Sequence, residues 1–377
     1  MPEWLVSASG EIGTKRPGTQ RELKVLLEKN LRSRAQALGL SFEWQEIKGR
    51  FLLRGPEPLQ PLLLSHFGFS KVCTLLRLKR RSFLDFDFHT LLPSRPFVYT
   101  VYVTRFADQG AREEGLAFKK ELLSLLEKAA RERLENWDNH WPEEVSWEIE
   151  VWPEEVWLLT QRHFAPAGLP VGSGEKVLVL FSGGPDSLLA AYLLARRGQE
   201  IELVFFDDDE KGRFELVQKA ARALAYFLPG LEIRLWQLHY RSMLERLEEM
   251  VPLRERCFFC RALMLHLASY LLTDTGAKAL ATGEILGEQA SQTLTGLVFV
   301  QTDLPLLRPV VALNKEEVYQ MLEAVGLAGV AHLPLPTCPF APKRPRTRPT
   351  KTPFHLKGLW RKFKKPVFIP HLLKAAF

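Results

Sequence analysis

The sequence predicts a multidomain α/β and α+β chain whose last large domain is a doubly wound parallel sheet. Three observations carry this. The length of 377 residues exceeds the usual size of one domain. From residue 176 onward short apolar runs alternate with helical patterns, the signature of parallel strands with helices on both faces. Before residue 163 the elements are more mixed, and a Pro- and Gly-rich stretch, HFAPAGLPVGSGE at 163–175, separates the two regimes.

Taken in order, residues 4–8 read as a strand. Residues 20–38 place Leu23, Leu27, Leu31 and Ala35 at helical spacing, with Gly39 as a stop. Strands follow at 42–47 and 51–54 around a Lys48-Gly49 turn, then a short helix at 59–67 and a strand at 71–78. This β-α-β-β-α-β order predicts a ferredoxin-like domain over 1–81. A second block, 82–166, holds a strand at 97–106, an amphipathic helix at 111–136, and strands at 145–151 and 156–161. The two Pro-Glu-Glu-Val strings at Pro142 and Pro153 are too short to make a repeat. In the third block, 167–350, strands are expected at 176–181, 201–206, 232–238 and 277–282. Helices are expected at 187–197, 212–227, 262–272 and 314–325, the last opened by an Asn314/Glu317 capping box.

Composition narrows the function. No apolar run reaches the 18 or so residues of a membrane helix, and the N-terminus lacks the pattern of a signal peptide, so a cytoplasmic protein is expected. Four cysteines cannot staple a chain of this length. The net charge of +7 arises wholly at one end: residues 324–377 contain 11 Lys or Arg and no acidic residue, which leaves 40 basic and 44 acidic residues before them. A polyanion partner, nucleic acid first, or a solvated basic tail both explain this. In the tail, 351–377, Lys357, Arg361, Lys362, Lys364 and Lys365 interleave with Phe354, Trp360, Phe363 and Phe368. Such a segment can grip RNA by charge and stacking, or pack on the domain through its rings.

The apolar strand at 176–181 runs into Ser182-Gly183-Gly184-Pro185-Asp186-Ser187 and then a helix. Adjacent glycines let backbone N–H groups close on a phosphate at a helix N-terminus, and two serines add hydroxyls. Asp186 repels phosphate, so it is expected either to cap the helix or to hold Mg²⁺. The loop is not a Walker A motif. Cys257 and Cys260 form a CxxC pair ahead of an apolar helix, and Cys338 follows among prolines. On residues alone, a disulfide, zinc, an iron–sulfur cluster with an open iron, and a persulfide relay all stay open. Cys73 and His266 read as core residues.

These strings together resemble the tRNA 4-thiouridine synthetase (ThiI-type) family, from the N-terminus to about residue 349. Gly10-Glu11-Ile12 with Lys15 matches its opening loosely. The 182–187 loop is similar to the PP-loop of ATP pyrophosphatases and, with Gly168-Leu169-Pro170-Val171-Gly172, to the family's domain junction. Thr282-Gly283-Glu284, Gly287 and Ala290-Ser291-Gln292-Thr293-Leu294 match a third string. Leu307-Arg308-Pro309 with Asn314-Lys315 matches a fourth, where Asn314 stands for the usual Asp. Cys338-Pro339-Phe340 through Pro349 matches a fifth.

The resemblance implies a ferredoxin-like domain at 1–81, a tRNA-binding THUMP domain at 82–166, a PP-loop ATP pyrophosphatase domain at 167–350 and a tail at 351–377. It implies an enzyme that uses ATP and Mg²⁺ to adenylate uridine at tRNA position 8, then replaces its 4-oxygen with sulfur, in the cytoplasm, often as a homodimer. Ser182, Gly183, Gly184, Asp186 and Ser187, with Gly283, Glu284, Ser291 and Gln292, would bind the nucleotide. Asp186, Lys315 and Cys338 would be catalytic. The CxxC pair is similar to that of iron–sulfur-dependent members, where Cys257, Cys260 and Cys338 would hold a 4Fe-4S cluster. The rhodanese domain of many bacterial members is lacking, so sulfide or a cysteine desulfurase is expected as the sulfur source. Another PP-loop tRNA thiolase, a persulfide or zinc thiolase, and a non-catalytic THUMP tRNA-binding protein are the alternatives.

Overall fold

The computed structural model describes residues 1–134, 143–350, 362–363 and 365–376. By internal contacts they form two units: residues 1–13, 39–64 and 69–165, and residues 14–38, 65–68 and those described within 166–377.

The first unit is a seven-stranded sheet in the order β2-β3-β1-β4-β7-β6-β5. Its strands are β1 (Glu3–Ala8), β2 (Glu43–Ile47), β3 (Arg50–Arg54), β4 (Phe69–Lys79), β5 (Phe97–Phe106), β6 (Glu143–Val151) and β7 (Glu155–Phe164). The order β2-β3-β1-β4 is the ferredoxin-like arrangement that the sequence predicts. One ladder continues from it into the second block, because β4 pairs antiparallel with β7 over nearly its whole length. The helix Gln109–Leu134 covers β5 and β6 with Phe118, Leu122 and Leu126. Inside the sheet, Arg50 donates to both oxygens of the buried Glu150 at 2.6 and 2.7 Å.

The second unit is a six-stranded sheet in the order β12-β11-β8-β9-β10-β13. Its strands are β8 (Lys176–Leu180), β9 (Glu200–Asp207), β10 (Glu232–His239), β11 (Ala279–Ala281), β12 (Leu306–Leu307) and β13 (Ile369–Lys374). All neighbours run parallel except β13, which pairs antiparallel with β10. Strand periodicity divides the apolar residues between two faces. Val177, Val179, Leu203 and Phe205 enter one core with the helices Pro185–Arg196 and Arg213–Ala225. Leu178, Val204 and Phe206 enter the other with the helix Arg256–Thr275. The doubly wound reading therefore holds.

Three local differences matter. The helix that was expected at 262–272 begins at Arg256, so the CxxC pair lies in its first turn rather than ahead of it. Buried Phe258 and Phe259 extend the helix's packed face, and no breaker separates the cysteines from it. The helix Pro17–Ala37 packs within the second unit, where Asn30 donates to the Val171 carbonyl at 2.8 Å and Arg34 to the Tyr226 carbonyl at 2.8 Å. Finally, the end of the basic tail is the edge strand β13, and Phe363 and Phe368 pack against the second core. Lys357, Arg361, Lys364, Phe354 and Trp360 lie outside the described residues.

Candidate active site

A cavity of about 430 Å³ opens at the carboxyl ends of β8, β9 and β11. Ligands of open parallel sheets bind there, because helix N-termini and loops converge at that edge. The cavity is lined by Ser182, Gly184, Asp186 and Ser187 from the first loop, by Gly283, Glu284, Ser291 and Gln292 from a later one, and by all three of Cys257, Cys260 and Cys338. Segments more than 150 residues apart in sequence thus share one wall.

The 182–187 loop is closed by its own hydroxyls. The Ser187 Oγ donates to the Gly184 carbonyl at 3.0 Å and accepts from the Ser182 N–H at 3.2 Å. Gly183 has φ +78°, which favours glycine, and a Cβ there would sit 3.0 Å from the Val217 Cα. Gly184 is the N-cap and Pro185 follows in the first turn. Asp186 therefore does not cap the helix, as one of the two expectations for it had it. Its carboxylate accepts from the Lys315 Nζ at 2.8 Å on each oxygen. Lys315 is the first residue of the helix Lys315–Ala324, which Asn314 and Glu317 open with a full capping box. The same Nζ lies 3.7 Å from Glu288.

Gly283 lies against this loop. A Cβ on it would meet the Asp186 carbonyl carbon and the Ser187 nitrogen at 2.5 Å, so only glycine allows the approach. The next residue, Glu284, is buried between two arginines. Arg308 Nε donates to it at 2.5 Å, Arg261 is ion-paired with it, and Thr282 Oγ1 donates at 3.1 Å. Arg261 also donates to the Ser291 carbonyl at 2.8 Å and lies 3.1 Å from its hydroxyl. Burial and the neighbouring Arg308 lower Arg261 to about 10, which leaves it cationic at neutral pH. Glu284 is thus a buried anchor that carries two cations. Gln292 accepts from the Gln289 N–H at 3.2 Å and fixes the turn.

All three cysteines are free thiols in this structure. Burial raises Cys257, and raises Cys260 to about 12. The Tyr240 hydroxyl donates to the Cys260 carbonyl at 3.3 Å and lies 3.6 Å from its sulfur. The thiols fit a metal group in that they are gathered in one cavity and able to ionise on coordination. They do not converge on one ion. Among the described residues, the group whose ligand atoms lie within 4.8 Å of one another is Asp207, Asp209 and His239, not the cysteines. A single zinc with bonds of about 2.3 Å needs its sulfurs within about 4 Å. His266 packs edge-on to Tyr270 and does not line the cavity, and Cys73 is buried in the first unit.

The sequence reading missed Arg261, Arg308, Tyr240, Asp208 and Arg213, all at or beside this cavity. Arg261 follows Cys260 directly and Arg308 lies in the Leu-Arg-Pro string, so both were accessible to inspection. Tyr240, Asp208 and Arg213 carry no motif. The alignment of β9 with β10 brings Asp208 and Tyr240 here, and Arg213 pairs with Asp208 at 3.1 Å.

Fold and site define a PP-loop nucleotide-binding domain joined to a ferredoxin-like and THUMP-type sheet. Residues 172–356 match the family model described as thiamine biosynthesis protein (ThiI). The chain is 27% identical over 362 residues to a tRNA sulfurtransferase of Desulfurococcus amylolyticus, covering 92% of this chain and 73% of that one. It is 28% identical over 381 residues to a protein of Thermococcus kodakarensis named "Probable tRNA sulfurtransferase", covering 94% of each. Among solved structures it is similar to a 4-thiouridine synthetase–RNA complex with bound ATP, with TM-score 0.76 and 25% identity over 99% of this chain and 100% of that one.

Proposed function

We propose that the protein is an ATP-dependent tRNA sulfurtransferase that converts uridine at tRNA position 8 to 4-thiouridine. The observation that carries this is the shared cavity, where a phosphate loop and three thiols face one another. An amide-like carbonyl oxygen is a poor leaving group, and AMP is a good one. In the first step the uridine 4-oxygen attacks the α-phosphorus of ATP and pyrophosphate leaves. In the second a sulfur nucleophile adds at C4, and the C4–O bond breaks to release AMP.

The chain's own residues divide this work. Backbone N–H groups of 182–187 and the hydroxyls of Ser182 and Ser187 cradle phosphate. Lys315 holds Asp186 in place and neutralises it. Mg²⁺, held by Asp186, would neutralise departing pyrophosphate. Arg261 and Arg308, set by Glu284, keep positive charge beside the 283–292 segment. Gly283, Ser291 and Gln292 shape the nucleotide pocket around it. A 4Fe-4S cluster on Cys257, Cys260 and Cys338 would leave one iron free to hold sulfide. Cys338, the exposed one of the three thiols, would meet sulfur supplied as sulfide or by a cysteine desulfurase. Two exposed arginine–aromatic pairs of the first unit suit RNA. Phe164 is 77% exposed with Arg162 over its ring at 5.4 Å, and Arg112 stands 5.7 Å from Phe106. Such a reaction on tRNA belongs in the cytoplasm, and no helix of the described residues is long and apolar enough to cross a membrane. A homodimer accords with the family resemblance.

The test is purification without oxygen, followed by absorption spectroscopy, iron and sulfide analysis, and assay on unmodified tRNA. Absorbance from a cluster that is lost in Cys257→Ala, Cys260→Ala or Cys338→Ala, together with 4-thiouridine formation, is the expected result. A colourless protein that still thiolates tRNA would remove the cluster and leave persulfide chemistry on the same cysteines.

A further inference from the structure

Residues 337–350 carry Cys338 along the cavity wall with almost no regular secondary structure. Side chains from three helical elements hold this strap, and the Thr293 hydroxyl donates to its Thr347 carbonyl at 2.7 Å. Arg213, at the start of the helix Arg213–Ala225, donates to the Thr337 carbonyl at 3.0 Å. Arg256 donates to the Phe340 carbonyl at 3.2 Å, and Arg254 to the Arg344 carbonyl at 2.9 Å. Between these two arginines stands Glu255, whose side chain is only 2% exposed. Its Oε1 accepts from Arg346 at 3.0 Å and from the Thr350 hydroxyl at 2.5 Å, and its Oε2 accepts from the Thr350 N–H at 3.2 Å.

A buried carboxylate is tolerated only when it is paired and hydrogen-bonded, and Glu255 has three donors. All three come from the strap. The anchor also sits two residues before Cys257, at the start of the helix that bears the CxxC pair. Whatever moves the strap at this point therefore moves Cys338 against Cys257 and Cys260, while the 182–187 loop lies on a different element.

We infer that Glu255 is a positioning residue for sulfur transfer: it ties the Cys338 strap to the root of the CxxC helix and so fixes the three thiols as one wall. This rests on the reading of Cys338 as a sulfur-handling residue. Glu255 makes and breaks no bond in the reaction and does not line the cavity.

The experiment uses the full chain isolated without oxygen, as Glu255→Ala, Glu255→Gln and the double variant Arg346→Met/Thr350→Val. Three quantities are read: hydrogen exchange at the amides of 338–350, tRNA-dependent pyrophosphate release, and 4-thiouridine formation. A misplacement of about 1 Å costs about 10²-fold, so Glu255→Ala is expected to lower thiolation by about 10²-fold and pyrophosphate release by no more than about twofold. Exchange at Arg346 and Thr350 should rise. The double variant cuts the same anchor from the strap side but leaves the Glu255 carboxylate only the Thr350 N–H, so the single Arg346→Met, at a side chain 41% exposed, is read beside it and should show the same split in smaller measure if neither of the others folds. Glu255→Gln retains an acceptor for Thr350 and should recover most of the thiolation. Thiolation that persists with a loosened strap, or pyrophosphate release that falls in step with it, overturns the inference. Cys338→Ser separates the two layers: if that variant thiolates normally, the reading of Cys338 has failed, while exchange in the strap still reports whether Glu255 anchors it.

Discussion

Lys315 Nζ donates to both carboxylate oxygens of Asp186 at 2.8 Å, across 129 residues of sequence. The pair closes the phosphate loop against the helix Lys315–Ala324. It also accounts for a carboxylate in the loop proposed to hold phosphate: a lysine neutralises it.

Asp186→Ala should keep the fold, because the side chain is partly exposed and caps nothing. Adenylation should fall by about 10²-fold or more, the scale of losing one electrostatic stabiliser. Lys315→Met should act on the same step. The double variant should then lose less than the sum of the two, since contacting residues couple by about 0.5–3 kcal/mol. Additive losses in tRNA-dependent pyrophosphate release would mean that the pair does not act as a unit.

Gly283→Ala should abolish nucleotide binding without unfolding the first unit. Its Cβ would press on the backbone of Asp186 and Ser187 at 2.5 Å, where no flexible side chain can give way. Gly329→Ala, with open space around it, is the control and should bind ATP like the parent. Isothermal titration with a non-hydrolysable ATP analogue reads both.

Much of this was legible beforehand for a physical reason. The six-residue loop needs glycines at fixed positions between a strand and a helix, and that requirement is written in local sequence. The capping box at Asn314 and Glu317 is likewise local, and both appear as expected. What was not legible depends on tertiary placement. Nothing near Tyr240 or Arg213 signals a cavity; Tyr240 arrives there because β9 and β10 run in parallel register, and Arg213 because it pairs with Asp208 at 3.1 Å. The start of the CxxC helix at Arg256 was hidden because the buried Phe258 and Phe259 decide it by packing. Packing of the tail through its rings was one of the two readings, and Phe363 and Phe368 do pack so, but its strand was hidden. Ile369–Lys374 alternates weakly, and it is a strand only because β10 offers it an edge.

That edge strand yields a third expectation. Deleting residues after Thr350 removes the partner of β10 from Glu232 to Gln237, together with the His371–Gln237 hydrogen bond at 3.0 Å. The truncated chain should therefore lose stability with no RNA present, visible as a lower denaturant midpoint. An unchanged midpoint would mean that β13 contributes nothing to the second unit. Steep salt dependence of tRNA binding in the full chain would be the separate sign that the basic residues of 324–377 contact phosphate.

A fourth concerns pH. His66 is fully buried beside Arg34, and burial first and that cation second lower it to about 3. It stays neutral when folded, whereas in the unfolded chain it protonates near 6.5. The unfolded state thus binds more protons between pH 6.5 and 3, and stability must fall as pH falls through that window. At pH 5 the cost is about 2 kcal/mol from this group. Urea midpoints at pH 7 and pH 5 should separate, and His66→Gln should narrow the gap by about one proton's worth. An unchanged gap would place the acid sensitivity elsewhere.

The central claim is that one cavity both activates a tRNA uridine with ATP and exchanges its oxygen for sulfur. Its most direct test is nucleoside analysis by mass spectrometry of unmodified tRNA incubated with the protein, ATP, Mg²⁺ and sulfide under anaerobic conditions, with AMP counted in the same tubes. The account predicts 4-thiouridine at position 8, one AMP per thiolated base, and neither product with Asp186→Ala. A different thiolated base, or AMP formed with no sulfur in the tRNA, would contradict it.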